Sequence, residues 1–324
     1  MSSFKDSFEK QYVRENLWIK EITSFIKKYK ADRPKYLCMP GQKAIFARKL
    51  INSGIVLCED IIACEIDKKI ANDIVVALPR CKIIRGNIDH LLGLLSNYTT
   101  QKYPNQEIKT KEKLLSLFPF DIINLDYEGE AIPLDKNNLS YRVKVWQTII
   151  ENQYTTKPFL FLLNTLGQPN RGLKEEHTKI ICDYIIKDIA INIKNNIIAR
   201  MWKEVKSLDN KQLSYKHSRI CLYAVPIKII FLGFPRFKVS LLSTPYTYIG
   251  KTGGNKSRMI CFAFLFDNYP EEFSSGVKKD KDKYNNLERA IKLIKNTIDV
   301  YSEEDDYVLG KYNIKTNSKW WITG

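Results

Sequence analysis

The chain has 324 residues, 44% of them apolar, and a formal net charge of +16. The apolar share supports a buried core and excludes a globally disordered chain, and the length suits one large α/β domain with additions or two modest ones. The charge makes a polyanion such as RNA or DNA the expected partner, because net charge speaks to association and not to fold.

Residues 4–30 place Phe8, Tyr12, Leu17, Ile19, Ile22, Phe25 and Ile26 in an apolar stripe, which predicts one or two amphipathic helices. We take 1–32 as an N-terminal helical extension; its polar, charged start does not read as a signal peptide. Strand and helix then alternate. A strand at 36–39 ends in Pro40-Gly41 and leads to a helix over 42–53. A strand at 61–64 ends in Glu65 and leads to a helix over 68–77. A strand at 82–85 ends in Gly86-Asn87-Ile88-Asp89 and leads to a helix over 89–97. A polar insertion, 98–113, precedes a strand at 120–125, and a loop rich in acids and Asn follows over 126–138. A helix over 141–153 leads to a strand at 158–163. Such alternation predicts a parallel sheet with right-handed crossovers.

After helices at 173–204 and 210–223 the pattern turns β-rich. The runs 227–234, 237–244 and 258–266 predict antiparallel strands, with the Gly-rich 250–255 as a hairpin tip. A charged linker over 269–283, a helix over 284–301 and an aromatic tail complete the chain. No apolar run is long enough to span a bilayer as a helix, so no membrane association is expected. The seven cysteines include no CxxC pair, which predicts reduced, buried thiols in a cytoplasmic protein. His90, His177 and His217 lack metal-ligand spacing, so no metal is expected.

Ligands of a parallel α/β sheet bind at the carboxyl ends of its strands, so the polar residues there are the candidate site. Gly41 permits a turn that brings the backbone close to a ligand. Glu65 can accept hydrogen bonds from both hydroxyls of a ribose, while Asp67 suits a helix N-cap. Asp89 can reach an adenine amino group with Asn87 or Ile88 beside the ring; Asn87 or Asp89 serves equally well as a helix N-cap. In Asn124-Leu125-Asp126-Tyr127 a carboxylate or amide can orient or deprotonate an attacking nitrogen, and an aromatic ring can stack on a base.

Together these residues resemble a class I S-adenosylmethionine-dependent methyltransferase, over about 33–165 and more weakly to 266. The resemblance implies a Rossmann-like, mostly parallel α/β sheet over 33–268 with an antiparallel β-hairpin at its C-terminal edge, followed by a C-terminal helix and tail over 269–324. It implies S-adenosylmethionine as cofactor, with Met39, Pro40 and Gly41 along the methionine part, Glu65 on the ribose, and Asn87, Ile88 and Asp89 on the adenine. It places catalysis at Asn124, Asp126 and Tyr127. The chain has one glycine where that family shows E/D-x-G-x-G, and it lacks the prolines of the N/D-P-P-Y/F signature of amino-methyltransferases on nucleic acid. The expected activity is methylation of a base nitrogen in RNA or DNA. The alternative is a catalytically degenerate subunit that binds nucleic acid or a partner protein.

Overall fold

In the computed structural model, residues 7–94, 105–133, 140–154, 157–167, 213–252, 255–269, 276–302 and 314–317 are described. Within them lie strands β1 (Tyr36–Cys38), β2 (Ile61–Glu65), β3 (Lys82–Arg85), β4 (Ile122–Glu130), β5 (Phe159–Leu166), β6 (Phe237–Leu241), β7 (Tyr246–Thr252), β8 (Asn255–Asn268), β9 (Ile298–Ser302) and β10 (Ile314–Asn317). They form one sheet in the order β10-β9-β7-β8-β5-β4-β1-β2-β3, with β6 also paired to β8.

The half from β3 to β5 is parallel throughout. β1, β2 and β5 are mainly apolar runs because both faces are covered, whereas the edge strand β3 is largely exposed. β8 joins β5 antiparallel, and β7 folds back on β8 as a hairpin. The expected Rossmann-like sheet with an antiparallel C-terminal edge is therefore present. The segment beyond residue 268 adds β9 and β10 to the same sheet.

Two layers of helices cover the sheet. One face carries α1 (Phe8–Val13), a π-helical segment (Arg14–Ile19), α2 (Lys20–Tyr29), α3 (Ile45–Asn52) and α4 (Lys68–Ala77). There Val13, Leu17, Trp18, Ile22 and Phe25 bury against Tyr36, Ile122, Leu160 and Leu162. The other face carries a second π-helical segment (Asp89–Leu94), α5 (Asn105–Leu115), α6 (Tyr141–Asn152), α7 (Leu213–Gly233) and α8 (Gly276–Lys295). There Trp146, Ile149, Ile229 and Ile291 bury against Leu37, Ile123, Phe161 and Leu163. Alternate residues of each central strand thus feed opposite cores.

Several expected boundaries move. β4 runs to Glu130 where a loop was expected from 126. α3 begins at Ile45, three residues late, because Gly41 and Ala44 both adopt positive φ and hold the turn open. The insertion at 98–113 contains most of α5, and the linker at 269–283 contains the start of α8. The expected strand at 227–234 is the second half of α7, which continues through Pro226. An unbroken apolar run reads alike as a buried strand or a buried helix, and here packing between α6, α8 and the sheet selects the helix. α8 ends at Lys295, and Ile298 lies opposite Tyr246 in β9, although it keeps helical spacing from Ile294. The helix expected over 173–204 lies outside the described residues.

Candidate functional site

Residues just past the carboxyl ends of β2 and β3 line a cavity, and the turn after β1 lies outside its lining. β1 leads into a turn in which Ala44 N–H donates to the Gly41 carbonyl at 3.1 Å. Gly41 has φ +65° with open space where a Cβ would lie, so its role is conformational. α3 has no side-chain N-cap for its first N–H groups. Met39, Pro40 and Gly41 thus line the approach to a helix N-terminus. Gly41→Ala should cost about 1–2 kcal/mol from the left-handed backbone alone, read as a lower thermal midpoint.

At the end of β2, Glu65 Oε1 accepts from the Asp67 N–H at 2.9 Å. Asp67 in turn caps α4, accepting from the N–H groups of Lys69 and Ile70, as its position predicts. The second Glu65 oxygen has no partner among the described residues, and the residue is half-buried. Beside it Ile66 is 68% exposed, an unusual position for an isoleucine ending a core strand. At the end of β3, the Gly86 N–H donates to the Glu65 carbonyl at 3.0 Å, which locks the two strand ends together. Asn87 is exposed; its Oδ1 accepts from the Asp89 N–H at 2.8 Å, leaving its amide NH₂ outward. Ile66, Ile83, Gly86, Asn87 and Leu91 line part of a cavity of about 900 Å³ between β3 and α5.

The remaining members of the adenine-side group fall elsewhere. Ile88 is buried in the core. Asp89 reaches the cavity wall, but its carboxylate is held by the Arg142 guanidinium of α6 at 2.9 Å. Arg142 also donates to the Glu130 carbonyl and lies 3.8 Å from the centre of the Tyr127 ring. Tyr127 is therefore part of a buried cluster between β4 and α6. Burial first, and then the Asp89 charge, pushes its hydroxyl pKa well up.

Because residues 124–127 continue β4, the motif divides between the two faces of the sheet. Asn124 and Asp126 point toward α1 and the first π-helical segment, and Tyr127 points toward α6. Asn124 is buried and donates to the Tyr36 hydroxyl at 2.9 Å. Asp126 is the centre of a polar cluster. Lys10 Nζ lies 2.9 Å and Arg14 Nη2 3.2 Å from Oδ2, with all three side chains less than one-fifth exposed. Asn164 of β5 donates to Oδ1 at 2.6 Å and to the Tyr248 hydroxyl at 3.1 Å, while the Cys261 thiol donates to the Asn164 carbonyl oxygen at 3.1 Å.

Burial alone would raise the Asp126 pKa. Lys10 and Arg14, aided by the Asn164 hydrogen bond, outweigh it and hold the carboxyl below the usual aspartate range. The structure thus brings Asn124 and Asp126 to one face and sets Glu65 and Asn87 at adjacent strand ends, of which only Asn87 lines the cavity, but it does not bring Tyr127 to Asp126.

Lys10, Arg14, Arg142 and Asn164 were not legible as site residues. Asn164 carried one signal, a polar residue closing the all-apolar run Phe159–Leu163. Lys10 and Arg14 are spaced i, i+4 on an otherwise apolar-faced helix, which puts both cations over one point.

No family model matches the chain, and no curated protein matches it. Among solved structures it is similar to human methyltransferase-like protein 13 in complex with SAH, at 14% identity over 90% of this chain and 96% of that one, with a TM-score of 0.31. It is also similar to the O-MT region of StiE, at 12% identity over 88% and 86% of the two chains and a TM-score of 0.30. The S-adenosylmethionine-dependent methyltransferase SibL in its apo form is similar at 9% identity over 81% of this chain and 59% of that one, also at 0.30. At such identities and TM-scores these likenesses match no residue of this site to a residue of theirs. What the chain itself shows is a Rossmann-like α/β sheet with a cavity of about 900 Å³ at the carboxyl ends of β2 and β3.

Proposed function

We propose that the chain is an S-adenosylmethionine-dependent methyltransferase acting on a nitrogen of a nucleic-acid base. The observation that carries this reading is the cavity of about 900 Å³ past the carboxyl end of β3, lined by the exposed Ile66 and by Asn87, with Glu65 ending the neighbouring strand β2. A carboxylate edge suits a ribose diol, an exposed aliphatic side chain suits the face of a purine, and a side-chain amide suits its polar edge. The Met39–Gly41 turn and the uncapped start of α3 would receive the methionine carboxylate, since free helix N–H groups favour an anion.

When bound, the cofactor supplies a methyl group on a sulfonium ready for in-line displacement. The chain's own contribution is position and charge. Asp126 is ionised at neutral pH and has a depressed pKa, so it suits the task of accepting a hydrogen bond from an acceptor amine and aligning its lone pair better than that of taking up a proton. Lys10 stands where such an amine would donate, 2.9 Å from the carboxylate, and would have to move aside for it. The balance of +16 supports a polyanionic acceptor.

Incubation with methyl-labelled S-adenosylmethionine and single-stranded RNA or DNA tests the acceptor. Label recovered in an N-methylated nucleoside after digestion is the expected result. Label found only in protein or small molecules would contradict it.

A further inference from the structure

The cavity beside Asn87 has a second character that an adenosyl group does not explain. Its far wall is α5, from which Gln106, Lys109, Thr110 and Lys113 face inward at helical spacing. Lys109 and Lys113 are exposed, and neither forms an ion pair among the described residues. The carboxylates of the same cavity are engaged: Glu107 lies 3.0 Å from His90 Nε2, and Asp89 is held by Arg142. Arg85, at the cavity edge, uses Nη2 on the Asn72 side-chain oxygen at 3.0 Å and keeps its other donors. Two ammonium groups one helical turn apart therefore line a ligand-sized space, and among the described residues no carboxylate pairs with either. On the methyltransferase reading S-adenosylmethionine would not supply one there, because its single carboxylate would lie with the Met39–Gly41 turn.

We propose that Lys109 and Lys113 form a phosphate subsite that holds the backbone of a nucleic-acid strand beside the cofactor crevice. This rests on the methyltransferase reading for its purpose, and on the cavity alone for its chemistry. Lysine ammonium groups bind phosphate as point charges and carry no base preference, so the subsite anchors the strand without selecting its sequence. Arg85 extends the cationic rim toward β3, so the strand would pass from α5 across the mouth of the cavity.

The test is fluorescence anisotropy of the full chain with a labelled single-stranded oligonucleotide over a potassium chloride series, using Lys109→Gln/Lys113→Gln. Both side chains are exposed, so the fold should be retained, and an unchanged thermal melt checks it. The expected result is at least tenfold weaker binding at 0.1 M salt for several unrelated sequences. The slope of log affinity against log salt should shrink by about 1.4, as two lost contacts to single-strand phosphates require. An unchanged affinity and slope would overturn the proposal. So would an equal loss in the control Lys292→Gln/Lys295→Gln on α8, since that would mean a diffuse basic surface. Lysine-dependent binding of AMP or inorganic phosphate in preference to the oligonucleotide would also overturn it, by assigning the subsite to a free phosphate. S-adenosylhomocysteine affinity should be the same in both variants. If that compound fails to bind even the unaltered chain while the lysine-dependent strand binding persists, the cofactor reading falls and the subsite stands.

Discussion

Asp126→Ala is expected to abolish methyl transfer and to destabilise the fold by about 3–5 kcal/mol, the usual consequence of removing one partner from a buried ion pair. The variant leaves Lys10 and Arg14, one turn apart on the N-terminal helical segment, without their shared carboxylate. It also removes one of the two acceptors of the Asn164 amide, which keeps its bonds to Tyr248 and Cys261. Denaturant unfolding measures the stability loss. Asp126→Asn separates the two roles, because it keeps an acceptor for Asn164 and loses the charge. It should fold better than the alanine variant and still lose most activity. The cofactor crevice is formed by other strand ends, so the asparagine variant should bind S-adenosylhomocysteine nearly as the unaltered chain does. Loss of that binding would refute the division of roles.

The sign of the pH effect follows from the depressed pKa of Asp126. A carboxyl held below its unfolded value stabilises the fold at every pH above that value, roughly 3.9, and the contribution is lost as pH falls through the folded pKa. Between pH 5 and 8 Asp126 does not titrate, so it should place no acidic limb on a rate profile in that range. An Asp126-dependent limb near neutrality would mean that the carboxyl is not held by Lys10 and Arg14 in solution.

Arg142→Met carries the second large effect. The guanidinium neutralises Asp89, donates to the Glu130 carbonyl and stacks on Tyr127, and it is almost wholly buried. Methionine fills part of the volume but leaves Asp89 charged and buried, which should also cost about 3–5 kcal/mol. Adding Asp89→Asn removes the stranded charge and should restore at least half of the loss. A double variant no more stable than Arg142→Met would show that stacking on Tyr127, and not the ion pair, dominates. Because Asp89 lies in the cavity wall, this cluster also ties the cavity to the β4–α6 packing.

The parallel half of the sheet was legible because each short apolar run is bounded by a turn residue and followed by helical spacing. The same pattern located Glu65, Asn87 and Gly41 at strand ends, where the structure has them. Asn124-Leu125-Asp126-Tyr127 was misplaced because its polar residues suggested a loop. Its alternation of polar and apolar residues is equally the period of a strand, and β4 follows that period. A strand sends successive side chains to opposite faces, so an aspartate and a tyrosine adjacent in sequence end in different cores. Lys10 and Arg14 were hidden for another reason. They meet Asp126 across more than a hundred residues, and neither composition nor periodicity encodes a contact of that range.

On the proposed reading S-adenosylmethionine binds at the carboxyl end of β2, with its ribose on Glu65. Isothermal calorimetry with S-adenosylhomocysteine on the unaltered chain and on Glu65→Ala tests it most directly. The predicted result is one site of roughly micromolar affinity, weakened at least tenfold, about 1.4 kcal/mol, when the carboxylate is removed. Glu65 is half-buried at a strand end, so the variant should remain folded. Absence of binding to the unaltered chain, or binding that Glu65→Ala leaves unchanged, would contradict the claim.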